Sequence, residues 1–252
     1  MFKYLMSVIV VTLTMISSTS SYAGNREIGG YVAQAESRFQ RNVWNFIKEF
    51  KTNKNIGSHT WKYDQYYWAR DYLFEGNSHK SYVDAQDLVL ISGHGNSYIW
   101  QSVQNPSEII DFRNVPSYGD ISNNGDLEFL IIESCSTVAT APEATNWWTP
   151  WKKMFQGLHQ LLGFRTLSYS DNGIPNAFAK NLKNNQKIWE AWFDAVNTER
   201  SWSYTHTESS GEVVPYPGYA SGIMYTSTAN DRLGSYAADP SPSQGFWTVW
   251  QD

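Results

Sequence analysis

Two short stretches carry the residue types needed for nucleophilic chemistry. "LVLISGHGN" (88–96) is an apolar run that stops at His94, set between two glycines. "LEFLIIESC" (127–135) is a second apolar run, and it stops at Cys135, the only cysteine of the chain. A thiol attacks an acyl carbon as its thiolate, and it needs a base or cation beside it to ionise at neutral pH. Histidine suits that task because its proton comes and goes near neutrality. A glycine beside the histidine lets a backbone N–H approach a developing oxyanion with no side chain in the way. If the two endings meet, Cys135 is the nucleophile, His94 the acid/base, and the N–H groups of Gly95 and Cys135 the oxyanion donors. The bland alternative for a lone cysteine at a strand end is a small buried hydrophobe.

The elements around these endings must bring them together. The apolar runs at 87–92 and 127–134 suit central parallel strands buried on both faces. A third run, "LLGFRTLSYS" (161–170), follows, and "REIGGYV" (26–32), "HTWKYD" (59–64) and "SGIMYTS" (221–227) read as further strands. Apolar residues at helical spacing predict helices over 37–51, about 149–162 and 176–200. Residues 67–77 read as a short helix or a loop. Alternating strands and helices argue for a three-layer α/β sandwich with a mostly parallel central sheet flanked by helices. Such sheets bind ligands at the carboxyl ends of their strands, where His94 and Cys135 both fall.

The chain has 252 residues and a net charge of −5, with no Lys/Arg-rich run, so nothing indicates a nucleic-acid partner. Lys3, an apolar run over 5–16 and "SSTSSYA" (17–23) read as an export signal cleaved before Gly24, too short to span a bilayer. The expectation is a signal peptide over 1–23 and one domain over 24–252. That domain would be periplasmic or extracellular, would not be bound to the membrane after cleavage, and would end in a Pro/Ser-rich aromatic tail from about 236. A lone thiol in an oxidising compartment is a hazard unless it is buried or used. No cofactor is expected. No histidine pair has metal-ligand spacing, and there is no phosphate loop, dinucleotide fingerprint or serine-nucleophile elbow. His59, His79 and His206 read as surface residues, and His159 as packed. Arg70 and Asp71 read as a structural ion pair, with membership of a site as the alternative. Aromatics make up 16% of the residues, enough to line a groove as well as a core.

The two motifs resemble the caspase-like cysteine peptidases, which include caspases, metacaspases, legumains, clostripain and gingipains. Their separation of 41 residues (135 − 94) lies near the caspase spacing of about 50. Glu133-Ser134-Cys135 is similar to the acidic-small-Cys endings of metacaspases and legumains. The stretches "YVDAQDLVLISGHGN", "NGDLEFLIIESCSTV", "FQGLHQLLGFRT" and "FAKNLKNNQKIWEAWFDAV" resemble a bacterial family of unknown function, DUF6345, placed near those peptidases. The resemblance implies a caspase-like fold with Cys135 as nucleophile, His94 as acid/base and Gly95 as an oxyanion donor. It implies a peptide or protein substrate, and a pocket in which Glu133 binds a basic side chain before the scissile bond. In that group a backbone carbonyl usually orients the histidine, so no acidic third member is required. Trp147, Trp148 and Trp151, just past the cysteine, read equally as a substrate-side wall or as core. The rival reading is an inactive module that binds peptide or glycan through an aromatic groove.

Overall fold

The computed structural model describes residues 25–33, 36–101, 108–120, 124–140, 148–170, 173–200 and 204–252. In chain order the elements are β1 (Asn25–Val32), α1 (Ser37–Ile47), β2 (Lys54–Ile56), β3 (His59–Trp68), β4 (Leu88–Ser92), β5 (Gly95–Asn96), β6 (Ile99–Gln101) and β7 (Ile109–Asp111). Then come β8 (Phe129–Glu133), β9 (Gln160–Phe164), α2 (Gly173–Lys183), α3 (Ile188–Glu199), β10 (Thr205–Thr207), β11 (Val213–Pro215), β12 (Ala220–Tyr225) and β13 (Phe246–Trp250).

Eight strands form one sheet in the order β13-β12-β9-β8-β4-β1-β3-β2. The five central strands, β3 to β9, run parallel, while β2, β12 and β13 add antiparallel edges. Every residue of β4, β8 and β9 is buried, as unbroken apolar runs require. Alternate side chains feed two cores. Ile28, Leu88, Leu90, Phe129 and Ile131 meet α1, α2 and α3 on one face. Val89, Ile91, Leu130 and Ile132 meet Phe74, Trp100, Trp151 and Phe155 on the other. That second face is covered by short 3-10 turns and the small β5-β6-β7 sheet. α1 lies flat on β1 because Gly30 leaves room, since a Cβ there would stand 2.4 Å from Val43 Cγ1.

Several sequence expectations change. The helix expected over 149–162 is a single 3-10 turn, Lys152–Met154, followed directly by β9. Its backbone bonds outward: Tyr118 N–H donates to Met154 O at 2.9 Å, and Gly157 and Leu158 N–H donate to Tyr118 O at 3.1 Å each. A Cβ on Gly157 would lie 1.6 Å from Gly119 O, so a strand-like contact has displaced the helix. The helix expected over 176–200 is two helices. Asn185 breaks it in the left-handed region at φ 58°, a role asparagine shares with glycine. The third run stops at Phe164. The tail from 236 is more than a strap: it ends as the edge strand β13. His59 and His79 are buried rather than on the surface. His59 packs against Tyr236, and His79 Nε2 lies 3.2 Å from Asp84. His159 is packed, as expected, with Nδ1 2.7 Å from Asp231.

Candidate active site

Strand register brings the two motifs together. β4 and β8 are parallel neighbours whose final residues, Ser92 and Glu133, are paired. Two residues beyond each lie His94 and Cys135. Adjacent strands stand about 4.8 Å apart, so both side chains start at one level on neighbouring strands. β1 ends on the other side of β4, with Val32 paired to Ser92, and the chain beyond it supplies Glu36 and Arg38. β9 flanks β8, and the chain beyond it supplies Ser168, Tyr169 and Ser170. These strand ends line a cleft of about 260 Å³ whose wall includes Arg38, His94, Glu133, Cys135, Ser168, Tyr204 and Tyr216.

His94 is held on one side. Its Nε2 lies 2.9 Å from Glu36 Oε1 and 3.0 Å from Arg38 Nη2. Glu36 Oε2 in turn pairs with Arg38 Nε at 2.7 Å. The Phe39 ring meets the imidazole edge to face at 5.0 Å, and the Arg38 guanidinium lies 4.7 Å over that ring. Cys135 sits on a sharp turn. The next residue, Ser136, is left-handed at φ 49°, a conformation side chains seldom adopt and one that recurs at functional sites. The Cys135 S–H donates to Ser168 O at 3.2 Å, and Ser168 N–H points back at the sulfur from 3.5 Å. Gly95 lies one residue behind the rim, in β5 opposite Trp100. A Cβ there would stand 2.3 Å from Ser134 Oγ, so only glycine lets the histidine loop lie against the cysteine turn.

Glu133 is buried at the cleft floor, where it accepts a hydrogen bond from Asn42 Nδ2. Asn42 Nδ2 also reaches Ser170 Oγ at 2.7 Å. The aromatic wall is not built from the expected tryptophans. Trp151 is 0% exposed and packs in the core with Tyr98 and Phe112. Trp148 is 40% exposed but lines a separate hollow with Lys152 and Phe246. Trp147 lies outside the described residues. The wall consists instead of Tyr169, Tyr204 and Tyr216. Tyr169 and Tyr204 stack at 4.0 Å, and Tyr204 meets Tyr216 edge-on at 5.7 Å. Burial first, and then the charge of a neighbouring Cys135 thiolate, pushes the Tyr216 phenol above its ordinary value. His206, exposed as expected, nevertheless lines the cleft. Arg70 pairs with Glu108 at 3.3 Å rather than with Asp71. Sequence reasoning missed Glu36, Arg38 and Asn42, although all three follow a strand end next to the one carrying His94. It also missed the tyrosines, which sit around a hairpin with no apolar periodicity.

The chain is similar to a secreted C11 cysteine protease from Bacteroides thetaiotaomicron, at 10% identity and a TM-score of 0.52, over 79% of this chain and 66% of that one. A second structure, of a secreted C11 cysteine protease from the same organism in complex with an irreversible peptide inhibitor, aligns at 11% identity and a TM-score of 0.44. That alignment covers 80% of this chain and 66% of the other. The first likeness shows that the fold is caspase-like. The chain spans 66%, just short of two thirds, of the length of either protease chain. It belongs to the DUF6345 family, a domain of unknown function, which it matches over residues 26–251. No curated protein sequence matches it. Among the described residues, no helix is long and apolar enough to cross a membrane.

Proposed function

We propose that the protein is an exported cysteine peptidase using Cys135 and His94. The observation that carries this reading is the paired ending of β4 and β8, which sets both side chains in one cleft. The Cys135 thiolate attacks the scissile carbonyl carbon, forming a C–S bond. The resulting oxyanion takes hydrogen bonds from the N–H groups of Gly95 and Cys135. The C–N bond then breaks, and the leaving amine takes a proton from the His94 imidazolium. Water attacks the thioester while His94 accepts its proton, the C–S bond breaks, and a carboxylic acid and the free cysteine result. The residues in place need no metal or organic cofactor for these steps. Export rests on the segment 1–23, which lies outside the described residues.

Glu133 supplies a substrate preference. A buried carboxylate on the cleft floor, beside Asn42 and Ser170, suits a lysine or arginine side chain ahead of the scissile bond. Cleavage of a peptide library is expected to favour Arg or Lys there. Glu133→Gln should lower kcat/KM for those peptides by ~10–150-fold, the ~1.5–3 kcal/mol of a hydrogen bond to a charged group. Cleavage with no basic preference would remove Glu133 from this role, and no cleavage of any peptide would remove the peptidase reading.

A second reading, an inactive peptide- or glycan-binding module, has one observation behind it. The Cys135 S–H rests on the Ser168 carbonyl, as an inert structural thiol would.

A further inference from the structure

We propose that Glu36 is a positioning residue that selects the tautomer of His94, an inference that rests on the Cys135–His94 peptidase reading. Glu36 is the N-cap of α1, a place where Ser, Thr, Asp or Asn is favoured. Its carboxylate makes no capping hydrogen bond. Both oxygens are used elsewhere, Oε1 on His94 Nε2 at 2.9 Å and Oε2 on Arg38 Nε at 2.7 Å. Helix capping therefore does not explain this glutamate, and the histidine does.

His94 Nε2 faces two groups with opposite demands. The Glu36 carboxylate can only accept a hydrogen bond, and Arg38 Nη2, at 3.0 Å, can only donate one. A neutral imidazole carries a single ring proton. With the proton on Nε2, the bond to Glu36 is made and Arg38 keeps its ion pair with the other carboxylate oxygen. With the proton on Nδ1, a nitrogen lone pair faces a carboxylate at 2.9 Å, and only the Arg38 bond is made. The first arrangement gives the charged carboxylate its donor and leaves Arg38 its ion pair with Glu36, at the expense of the Arg38 Nη2 contact. It leaves Nδ1 as the unprotonated nitrogen, the one free to act as base. Phe39 packs edge-on against the imidazole at 5.0 Å in the orientation that turns Nε2 to Glu36.

Arg38 is the counterweight. Without Glu36, its N–H donates to Nε2 and selects the Nδ1–H tautomer, which puts a proton where the base must accept one. The Glu36→Ala variant should therefore be worse than Glu36→Ala/Arg38→Met, in which neither group dictates the tautomer. A purely structural role for Glu36 would give the opposite order.

The test is long-range ¹H–¹⁵N NMR of the histidine rings in the full chain at mildly alkaline pH, with His94 identified by the signals lost in His94→Gln. The wild-type ring is expected as Nε2–H, Glu36→Ala as Nδ1–H, and the double variant as a mixture. In parallel, Glu36→Ala should lower kcat by ~10²–10⁴-fold, the range for a misplaced base proton, with little change in KM and partial recovery in the double variant. A wild-type Nδ1–H ring overturns the proposal even if the variants fail to fold. So does a tautomer indifferent to Glu36. The tautomer is read without turnover, so a protein that cleaves nothing yet shows the expected tautomers would refute the peptidase reading alone.

Discussion

Replacing Cys135 with alanine is expected to abolish peptide hydrolysis while leaving the fold in place. The sulfur forms the only covalent bond to the acyl group in the proposed reaction, and no other side chain of the cleft is a thiol. Losing the nucleophile removes the acyl-enzyme route altogether, so activity should fall by ~10⁴-fold or more. Stability should barely move. The sulfur is half-buried and touches the backbone of Ser168 through one weak donor and one long acceptor contact. Its removal should cost about 1 kcal/mol, the scale of one net hydrogen bond. Cys135→Ser should be almost as inactive, because a hydroxyl is far less acidic than a thiol. The two properties are read separately, by peptide hydrolysis and by thermal melting. Wild-type turnover in Cys135→Ala would end the mechanism, and collapse of the fold would give the cysteine a structural role.

The second large effect lies at the opposite end of the sheet, where the protein should be most stable in mildly acidic solution. Just before β4 and β8 sit two buried carboxyls, Asp87 and Glu128. Asp87 accepts from Arg26 Nη1 at 2.8 Å, from the Glu27 N–H at 2.6 Å and from the Tyr236 hydroxyl at 2.9 Å. Burial nonetheless pushes Asp87 up to about 6. Glu128 has one carboxyl oxygen buried without a hydrogen-bond partner, and burial followed by the charge of Asp87 drives it well above the carboxylate range. Neighbouring His159 is raised too. Burial lowers it, but the hydrogen bond to Asp231 and the Asp239 carboxylate 3.7 Å away outweigh that. In all three groups the folded state holds its proton more tightly than the unfolded chain does. Their stabilisation is therefore complete at low pH and lost as pH rises through the folded values. For Asp87 the window runs from about 4 to about 6, a span worth about 3 kcal/mol. About half of that window lies above pH ~5, so for a chain of this size Asp87 alone lowers Tm by ~3–6 °C between pH ~5 and ~8. Glu49 and Asp111, lowered by Lys183 and Arg113 respectively, set the acid limit in the opposite sense. Glu128→Gln mimics the protonated acid, so it should raise Tm at pH ~8 and leave it unchanged at pH ~5. A Tm that climbs from pH ~5 to ~8 would show that the cluster is ionised without penalty.

How much of this could be read from the sequence depends on how local the governing forces are. β4 and β8 were legible because a short, unbroken, β-branched-rich apolar run suits a strand buried on both faces, and the residues just past it then stand at a sheet end. His94, Gly95 and Cys135 followed from that. The partners of His94 did not, because Glu36 and Arg38 come from the neighbouring strand end, and their relevance rests on the order β8-β4-β1, which no local pattern states. The tryptophans failed for a related reason. An indole fills a core or lines a groove with equal ease, and Trp151 turns inward onto Tyr98 and Phe112, which come from distant parts of the chain. The close approach of Gly157 to Gly119 cancels the helix that the spacing over 149–162 predicts. Tyr169, Tyr204 and Tyr216 lie where turn and hairpin geometry, rather than periodicity, sets direction.

The central claim is that Cys135 and His94 act as a pair, and the rate of Cys135 alkylation tests it most directly. Iodoacetamide reacts with the thiolate, so its rate at neutral pH reports whether a neighbour takes the thiol proton. Modification followed by mass spectrometry in the wild type and in His94→Ala should show a fast reaction that falls by ~10-fold or more when the imidazole is removed. Equal, slow rates in the two proteins would mean an inert thiol held by the Ser168 carbonyl, and would contradict the account.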